Sequence, residues 1–289
     1  MRTYPDCIPC LLNQALKALK LCYTDDAEIF AALKQISNHF ADFETKQSPP
    51  EMAMKVHRLV REITATHDPY FTMKQLAINE VLRHENRIRE VINAAQNPIR
   101  AALRFAIAGN VLDFAILDGP PKYLDVQLDS AIYNNVNENG LDALELAIKS
   151  ADTIMLIGDN AGESVLDKLL IEQMHGKRVI YAVRGSPTIN DVTMADAIAS
   201  SLDNVAELVD NGSDAPGTLL ANVSPAFMKY FNAADLIIAK GQGNYESLSD
   251  CEKRIFFMTQ IKCPVIARDL DSTVGDWLVT TSKRGVSKR

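Results

Sequence analysis

Apolar residues recur at helical spacing through the first third of the chain. Leu12, Leu16, Leu19 and Tyr23 form one such series, and Ile29, Leu33, Ile36 and Phe40 a second. Met52, Val56, Leu59 and Ile63 form a third. Intervals of three and four place each series on one face of an amphipathic helix. "QSPPE" at 47–51 interrupts the pattern, and Pro50 suits the first turn of the helix that follows. "HDPYF" at 67–71 is a second break, after which a long helix is expected to run to about Asn97, before Pro98. No apolar–polar alternation of the β type occurs here.

Beyond about residue 150 the pattern changes. "TIMLI" (153–157), "RVIYAV" (178–183), "VAELV" (205–209), "LIIA" (236–239) and "PVIA" (264–267) are short apolar runs separated by helix-like or loop segments. Nearly continuous apolar strands alternating with helices predict a parallel sheet covered on both faces. In such a sheet ligands bind outside the carboxyl ends of the strands. Between the two regions, "IRAALRFAIAGNVLDF" reads as a helix carrying Asn110 and Asp113, "DGPPKY" as a loop, and "LDALELAIKSA" as a helix feeding the first strand. The expected organisation is an all-helical region over 1–98 and a Rossmann-like α/β domain over 99–289, with a mostly parallel sheet of at least five strands.

Composition narrows the functional classes. A 289-residue chain with 47% hydrophobic residues can bury a large core. A formal net charge of −7 argues against a broad nucleic-acid surface. No apolar run has the roughly 20 residues of a membrane span. "MRTYPDCIPC" has no apolar signal core, so a cytoplasmic protein is expected. The five cysteines include one C-x-x-C, Cys7 and Cys10, without a second pair to complete a structural zinc site. The basic end "SKRGVSKR" reads as a solvated tail.

Three strand ends carry candidate chemistry. In "GDNAGES" the first strand runs into Gly158, Asp159 and Asn160 at the start of a helix. The spacing is not G-x-G-x-x-G, and Asp159 would repel a pyrophosphate. Hard oxygen ligands instead suit Mg²⁺ or Mn²⁺, although helix capping by either residue explains the same pattern. "RGSPTINDVTMADA" delivers Asn190 and Asp191 after the second strand, again where a helix starts. Two acidic strand ends on one sheet edge repel unless a cation lies between them. "IIAKGQGNYESL" ends a strand in Lys240, then places Gly241 and Gly243 where backbone N–H groups could approach an anion, with Asn244 as a further donor. Lys262 and Arg268 flank "PVIA", and one of them could clamp an oxyanion.

In order along the chain, the N-terminal C-x-P-C, "AGNVLDF", "GDNAGE", "NDVTMADA", "KGQGNYE" and "KCPVIARD" resemble the damage-control phosphatases, a family long catalogued as a domain of unknown function. The match is to the stand-alone prokaryotic branch that carries the N-terminal cysteine pair. The resemblance implies a helical region joined to a Rossmann-like domain, a divalent metal, and hydrolysis of phosphomonoesters of small metabolites such as sugar phosphates, nucleotides or damaged phospho-metabolites. It places the metal on Asp159, Asn160 and Asp191, the phosphate on Lys240, Gly241, Gln242, Gly243 and Asn244, and the substrate on Lys262. Eukaryotic relatives differ in that loop, so Gln242 and Glu246 mark a different substrate. The metal expected is Mn²⁺, Mg²⁺, Co²⁺ or Ni²⁺, since carboxylate and amide oxygens accept all four.

The expected chemistry is attack of a metal-activated water on phosphorus, with Glu163 orienting that water or acting as general base, or serving only as a first-turn helix acid. Asp159 as nucleophile is the competing route, disfavoured because residue 161 is Ala and not the second acid of a D-x-D pair. Two other classes are weighed. One is an S-adenosylmethionine- or nucleotide-binding protein resembling a carboxyl methyltransferase; the missing glycine fingerprint counts against it. The other is a helical interaction module with an inactive α/β half, against which the intact acidic and basic positions stand.

Overall fold

The computed structural model describes residues 1–109 and 136–283. Asn110, Asp113, "DGPPKY" and the tail from residue 284 lie outside the described residues.

Up to residue 98 every regular element described is helical: α1 (Cys7–Cys22), α2 (Asp26–Asn38), a 3₁₀ turn (His39–Asp42), α3 (Pro49–Thr64) and α4 (Phe71–Ala94). The break at "QSPPE" resolves as a capping box at Ser48 and Glu51, with Pro49 and Pro50 in the first turn of α3. Leu11, Ala15, Leu19, Ile29, Ile36, Met52, Val56 and Val60 pack α1, α2 and α3 into a core of their own. α5 (Pro98–Gly109) and α6 (Glu138–Ser150) follow.

The α/β part then runs β1 (Thr153–Ile157), α7 (Ser164–Glu172), β2 (Arg178–Val183), α8 (Met194–Ala199), β3 (Glu207–Asp210), α9 (Pro225–Ala233), β4 (Leu236–Lys240), α10 (Gly241–Leu248), β5 (Ile255–Gln260), α11 (Pro264–Asp269) and β6 (Trp277–Thr281). The sheet order is β3-β2-β1-β4-β5-β6. Five strands are parallel and β6 pairs antiparallel with β5. Side-chain parity divides the sheet between two cores. Ile154, Leu156, Tyr181 and Ile238 face α4, α5 and α7, whereas Met155, Ile157, Ile180 and Ala239 face α9 and α10. Strand order reverses between β1 and β4, so the ligand crevice is expected where Gly158 and Lys240 leave the sheet.

One strand assignment is corrected. "PVIA" is helix α11, because Pro264 occupies its first turn, and the fifth parallel strand is instead "IFFMTQ". Lys262 therefore follows β5 at the carboxyl edge of the sheet, where it joins the other strand ends.

The helical segment is tied to that edge by charge. Arg58 and Arg61 both donate to Asp214 in the loop after β3, and Arg61 also donates to the carbonyl of Pro187 after β2. Lys74 is buried between Asp68 and Asp196, 2.7 Å from each. The N-terminal ammonium donates to the carbonyl of Glu246, at 2.9 Å. Among the described residues no helix is long and apolar enough to cross a membrane.

His57 lies inside this packing at 3% exposure, with its Nε2 3.3 Å from Gln14 Oε1. Burial, reinforced by Arg61, holds its pKa down to about 4. Below about pH 6.5 the unfolded chain takes a proton that the folded one refuses, so stability is lost as pH falls from about 6.5 towards 4. Expected from urea melts is that His57→Gln removes up to about 3 kcal/mol of this acid sensitivity. Superimposable pH profiles of the two proteins would contradict it.

Candidate active site

The ends of β1 and β2 are zipped together by backbone. Val192 donates to the carbonyl of Asp159 at 2.7 Å, and Ala161 to that of Asn190 at 2.9 Å. Asn160 and Asp191 thereby form an antiparallel bridge. Convergence of Asp159, Asn160 and Asp191 is thus set by main-chain pairing. Neither loop spends these side chains on capping. The N-cap of α7 is Glu163, and α8 is capped by Thr193 in a capping box with Asp196. The capping explanation of the two Asn/Asp pairs is removed, because other residues hold those positions.

Glu163 is fully enclosed and accepts from Asn160 Nδ2 and, at 2.9 Å, from Lys240 Nζ. It orients the Asn160 amide. With each oxygen engaged, it is poorly placed to take a proton from water.

Lys240 differs from expectation. Its side chain is completely buried, and Nζ lies 2.9 Å from Glu163 and 2.6 Å from Asp167. Tyr181 Oη donates to the other oxygen of Asp167 at 2.8 Å. Burial alone would lower the Lys240 pKa, but Asp167 and Glu163 outweigh it and raise it. Parity explains the placement: Leu236 and Ile238 face the α7 side, and Lys240, two residues on, follows them.

Asn244 is likewise committed. Its Nδ2 donates to the carbonyls of Gly158 (3.2 Å) and Lys240 (2.8 Å), which ties the ends of β1 and β4. Gln242 Oε1 accepts from the backbone N–H of Lys262 at 3.1 Å, and its Nε2 donates to Glu246 at 3.0 Å. The loop glycines serve close packing. A Cβ on Gly243 would lie 2.2 Å from the carbonyl of Pro216, and one on Gly241 would lie 1.8 Å from Asp159 Oδ2. Gly241 also has a φ of 77°. Gly241→Ala is therefore expected to displace the Asp159 carboxylate and weaken divalent-ion binding at least about tenfold, at a backbone cost of about 1–2 kcal/mol. Isothermal titration with Mn²⁺ checks this, and unchanged affinity would contradict it.

The reading along the chain missed three residues. Arg184, directly after β2, is 1% exposed and donates from Nε to Asp191 at 2.6 Å. Asp167 is the second partner of Lys240, and Thr218 Oγ1 donates to Asn244 Oδ1 at 2.8 Å. A charged residue closing an apolar strand, and an acid four positions after Glu163, were the available signals.

The buried set contains four carboxylates, Asp159, Glu163, Asp167 and Asp191, against two buried cations, Lys240 and Arg184. Half-buried Lys262 reduces the excess of negative charge without removing it. Burial first, then Asp191 and Glu163, push the Asp159 carboxyl well above the usual range, against the pull of Lys262 and Arg184. Hard oxygens with surplus negative charge fit a divalent cation held by Asp159, Asn160 and Asp191. No triad of His, Cys, Asp or Glu alone is arranged to hold a metal among the described residues. This set has two carboxylates and an amide.

Cys7 and Cys10 open α1 with free thiols, raised in pKa by burial, and Glu246 and Cys263 lie near enough to act on both.

A sequence profile of the damage-control phosphatase ARMT1-like domain matches residues 3–278. A damage-control phosphatase of Archaeoglobus fulgidus is 32% identical over 289 residues, covering 96% of this chain and 98% of its own. Damage-control phosphatase PH1575 of Pyrococcus horikoshii is 29% identical, over 93% of this chain and 94% of its own. The crystal structure of the Pyrococcus horikoshii protein, described as a member of the DUF89 family, superposes with a TM-score of 0.87 at 27% identity, over 98% of this chain and all of that one. The strand-end acids, the ordered motifs and the whole-chain match agree: the chain belongs to the damage-control phosphatase ARMT1-like family.

Proposed function

We propose that the protein is a divalent-metal-dependent phosphatase that hydrolyses phosphomonoesters of small metabolites, such as sugar phosphates, nucleotides or damaged phospho-metabolites. The observation that carries this reading is the backbone-fixed convergence of Asp159, Asn160 and Asp191 at the switch point of the sheet, in a buried set with surplus negative charge. Relatives that cover nearly the whole chain bear the name damage-control phosphatase, which supports it.

Bound there, a divalent ion supplies Lewis-acid polarisation of a phosphoryl oxygen and a water of lowered pKa. The protein's own groups do the rest. Glu163 holds the Asn160 amide in place, and Lys240 is the counter-ion that Glu163 and Asp167 share beneath the site. The first N–H groups of α10, which have no intrahelical partner, and Lys262 receive the phosphoryl oxygens. Residue 161 is Ala, so the D-x-D pair of aspartate-nucleophile phosphatases is absent, which favours water over Asp159 as the attacking group. The test is release of phosphate from p-nitrophenyl phosphate and from a panel of phosphorylated metabolites. Activity should vanish after chelation and return with Mn²⁺, Mg²⁺, Co²⁺ or Ni²⁺. Full activity in demonstrably metal-free protein would remove the reading.

A further inference from the structure

With Lys240 held by two carboxylates and Asn244 by two carbonyls, the anion-binding assignments made from the loop "KGQGN" lose their side-chain donors. Arg184 is differently placed. It arrives from β2 on the α10 side of the sheet, the side faced by Ile180 and Ala182. Its Nε makes one short bond, 2.6 Å to Asp191 Oδ2. Among the described residues the two outer nitrogens make only long contacts: Nη1 lies 3.4 Å from Thr218 Oγ1, and both lie 3.4 Å from Asn244 Oδ1. That Asn244 oxygen already accepts from Thr218 at 2.8 Å. Nη2 stands 4.0 Å from Asp159 Oδ1.

A guanidinium carries five N–H donors in a planar fork. Burying it at 1% exposure with four of them weakly satisfied is unfavourable unless another acceptor completes the set. The fork lies beside Asp159 and the end of β4, where a phosphoryl group in contact with a metal on Asp159 would present oxygens. Two oxygens of such a group match the spacing of two outer guanidinium nitrogens.

We propose that Arg184 binds the phosphoryl group of the substrate through Nη1 and Nη2, while Nε holds Asp191 for the metal. One side chain then serves the metal edge and the anion. This inference rests on the phosphatase reading for the identity of its ligand, and its test is kept independent of turnover.

Mn²⁺ affinity and inorganic phosphate affinity are measured separately for the wild-type protein and R184K, the first by electron paramagnetic resonance and the second by calorimetry on Mn²⁺-saturated protein. Lysine keeps the charge and loses the fork. R184K is expected to bind Mn²⁺ within about threefold of wild type and phosphate at least about tenfold more weakly. Phosphate binding within threefold of wild type would overturn the proposal. So would a loss of Mn²⁺ affinity as large as the loss of phosphate affinity, which makes Arg184 a positioning residue only. Should R184K fail to fold, ¹⁵N resonances of the Arg184 guanidinium in the wild-type protein decide. They are expected to shift and sharpen on phosphate addition, and an unchanged spectrum at saturating phosphate overturns the assignment. A protein that binds phosphate through Arg184 yet hydrolyses no phosphomonoester would refute the proposed function and leave this inference standing. Hydrolysis with phosphate binding indifferent to Arg184 would do the reverse.

Discussion

Asp159→Ala is expected to lower kcat/KM for a phosphomonoester by roughly 10²–10³-fold and to abolish Mn²⁺ binding, with no loss of melting temperature. The stability half follows from electrostatics. The Asp159 carboxyl is enclosed and faces Asp191 and Glu163, which hold it well above the usual carboxylate range. Removing it relieves repulsion, Arg184 stays bonded to Asp191, and the Asn160 amide that donates to Asp159 at 3.2 Å keeps its bond to Glu163. Asp191→Ala should be equally inactive but less stable. It deprives the buried Arg184 of its short bond to Asp191, a loss of about 1–3 kcal/mol, softened by the approach of Arg184 to Asp159 at 4.0 Å. Paired measurements of Mn²⁺ affinity and urea unfolding separate the two variants. If Asp159→Ala bound Mn²⁺ as wild type does, the site would have to lie elsewhere.

What could be read from the sequence was whatever local pattern determines. Runs such as "TIMLI" and "RVIYAV" are apolar on both faces because both faces of the sheet are covered, so they announce strands without reference to the rest of the chain. "PVIA" has the same composition, and only Pro264 in the first turn marks it as helix α11. β6 escaped notice because "WLVTT" is buried mainly at Trp277 and Val279 and pairs through Val279 with Met258, a partner twenty-one residues back in sequence. In the candidate site, residue types at strand ends singled out Asp159, Asn160 and Asp191 as candidates, and the backbone bridge that brings Asn160 to Asp191 is long-range. Side-chain direction was the weak point. Lys240 and Arg184 both end strands, but parity sends Lys240 towards α7 and Arg184 towards α10. The pattern of "LIIAK" contains that parity. It becomes meaningful only once the acids waiting on the α7 side, Glu163 and Asp167, are known to face it.

Lys240 therefore offers the sharpest contrast between the two accounts. As a phosphate ligand, its loss should weaken phosphate binding and turnover by about 2–4 kcal/mol in the transition state and leave stability and metal binding intact. As a buried counter-ion, its loss leaves Glu163 and Asp167, both at 0% exposure, without the ammonium that lies 2.9 and 2.6 Å from them. Breaking a buried pair by removing one partner costs about 3–5 kcal/mol, because the remaining charge stays buried without its counter-ion. Lys240→Met is accordingly expected to lower the free energy of unfolding by about that amount in urea titrations. Adding Glu163→Gln and Asp167→Asn removes the stranded charges, and the triple variant should recover most of the loss. Activity in the single variant should fall as well, since Glu163 freed from Lys240 no longer fixes the Asn160 amide. Phosphate affinity in whatever fraction stays folded should fall less than tenfold, because Nζ of Lys240 is taken up by Glu163 and Asp167. A Lys240→Met protein as stable as wild type, with phosphate affinity reduced tenfold or more, would return Lys240 to the phosphate site and place Glu163 and Asp167 in a network able to do without it.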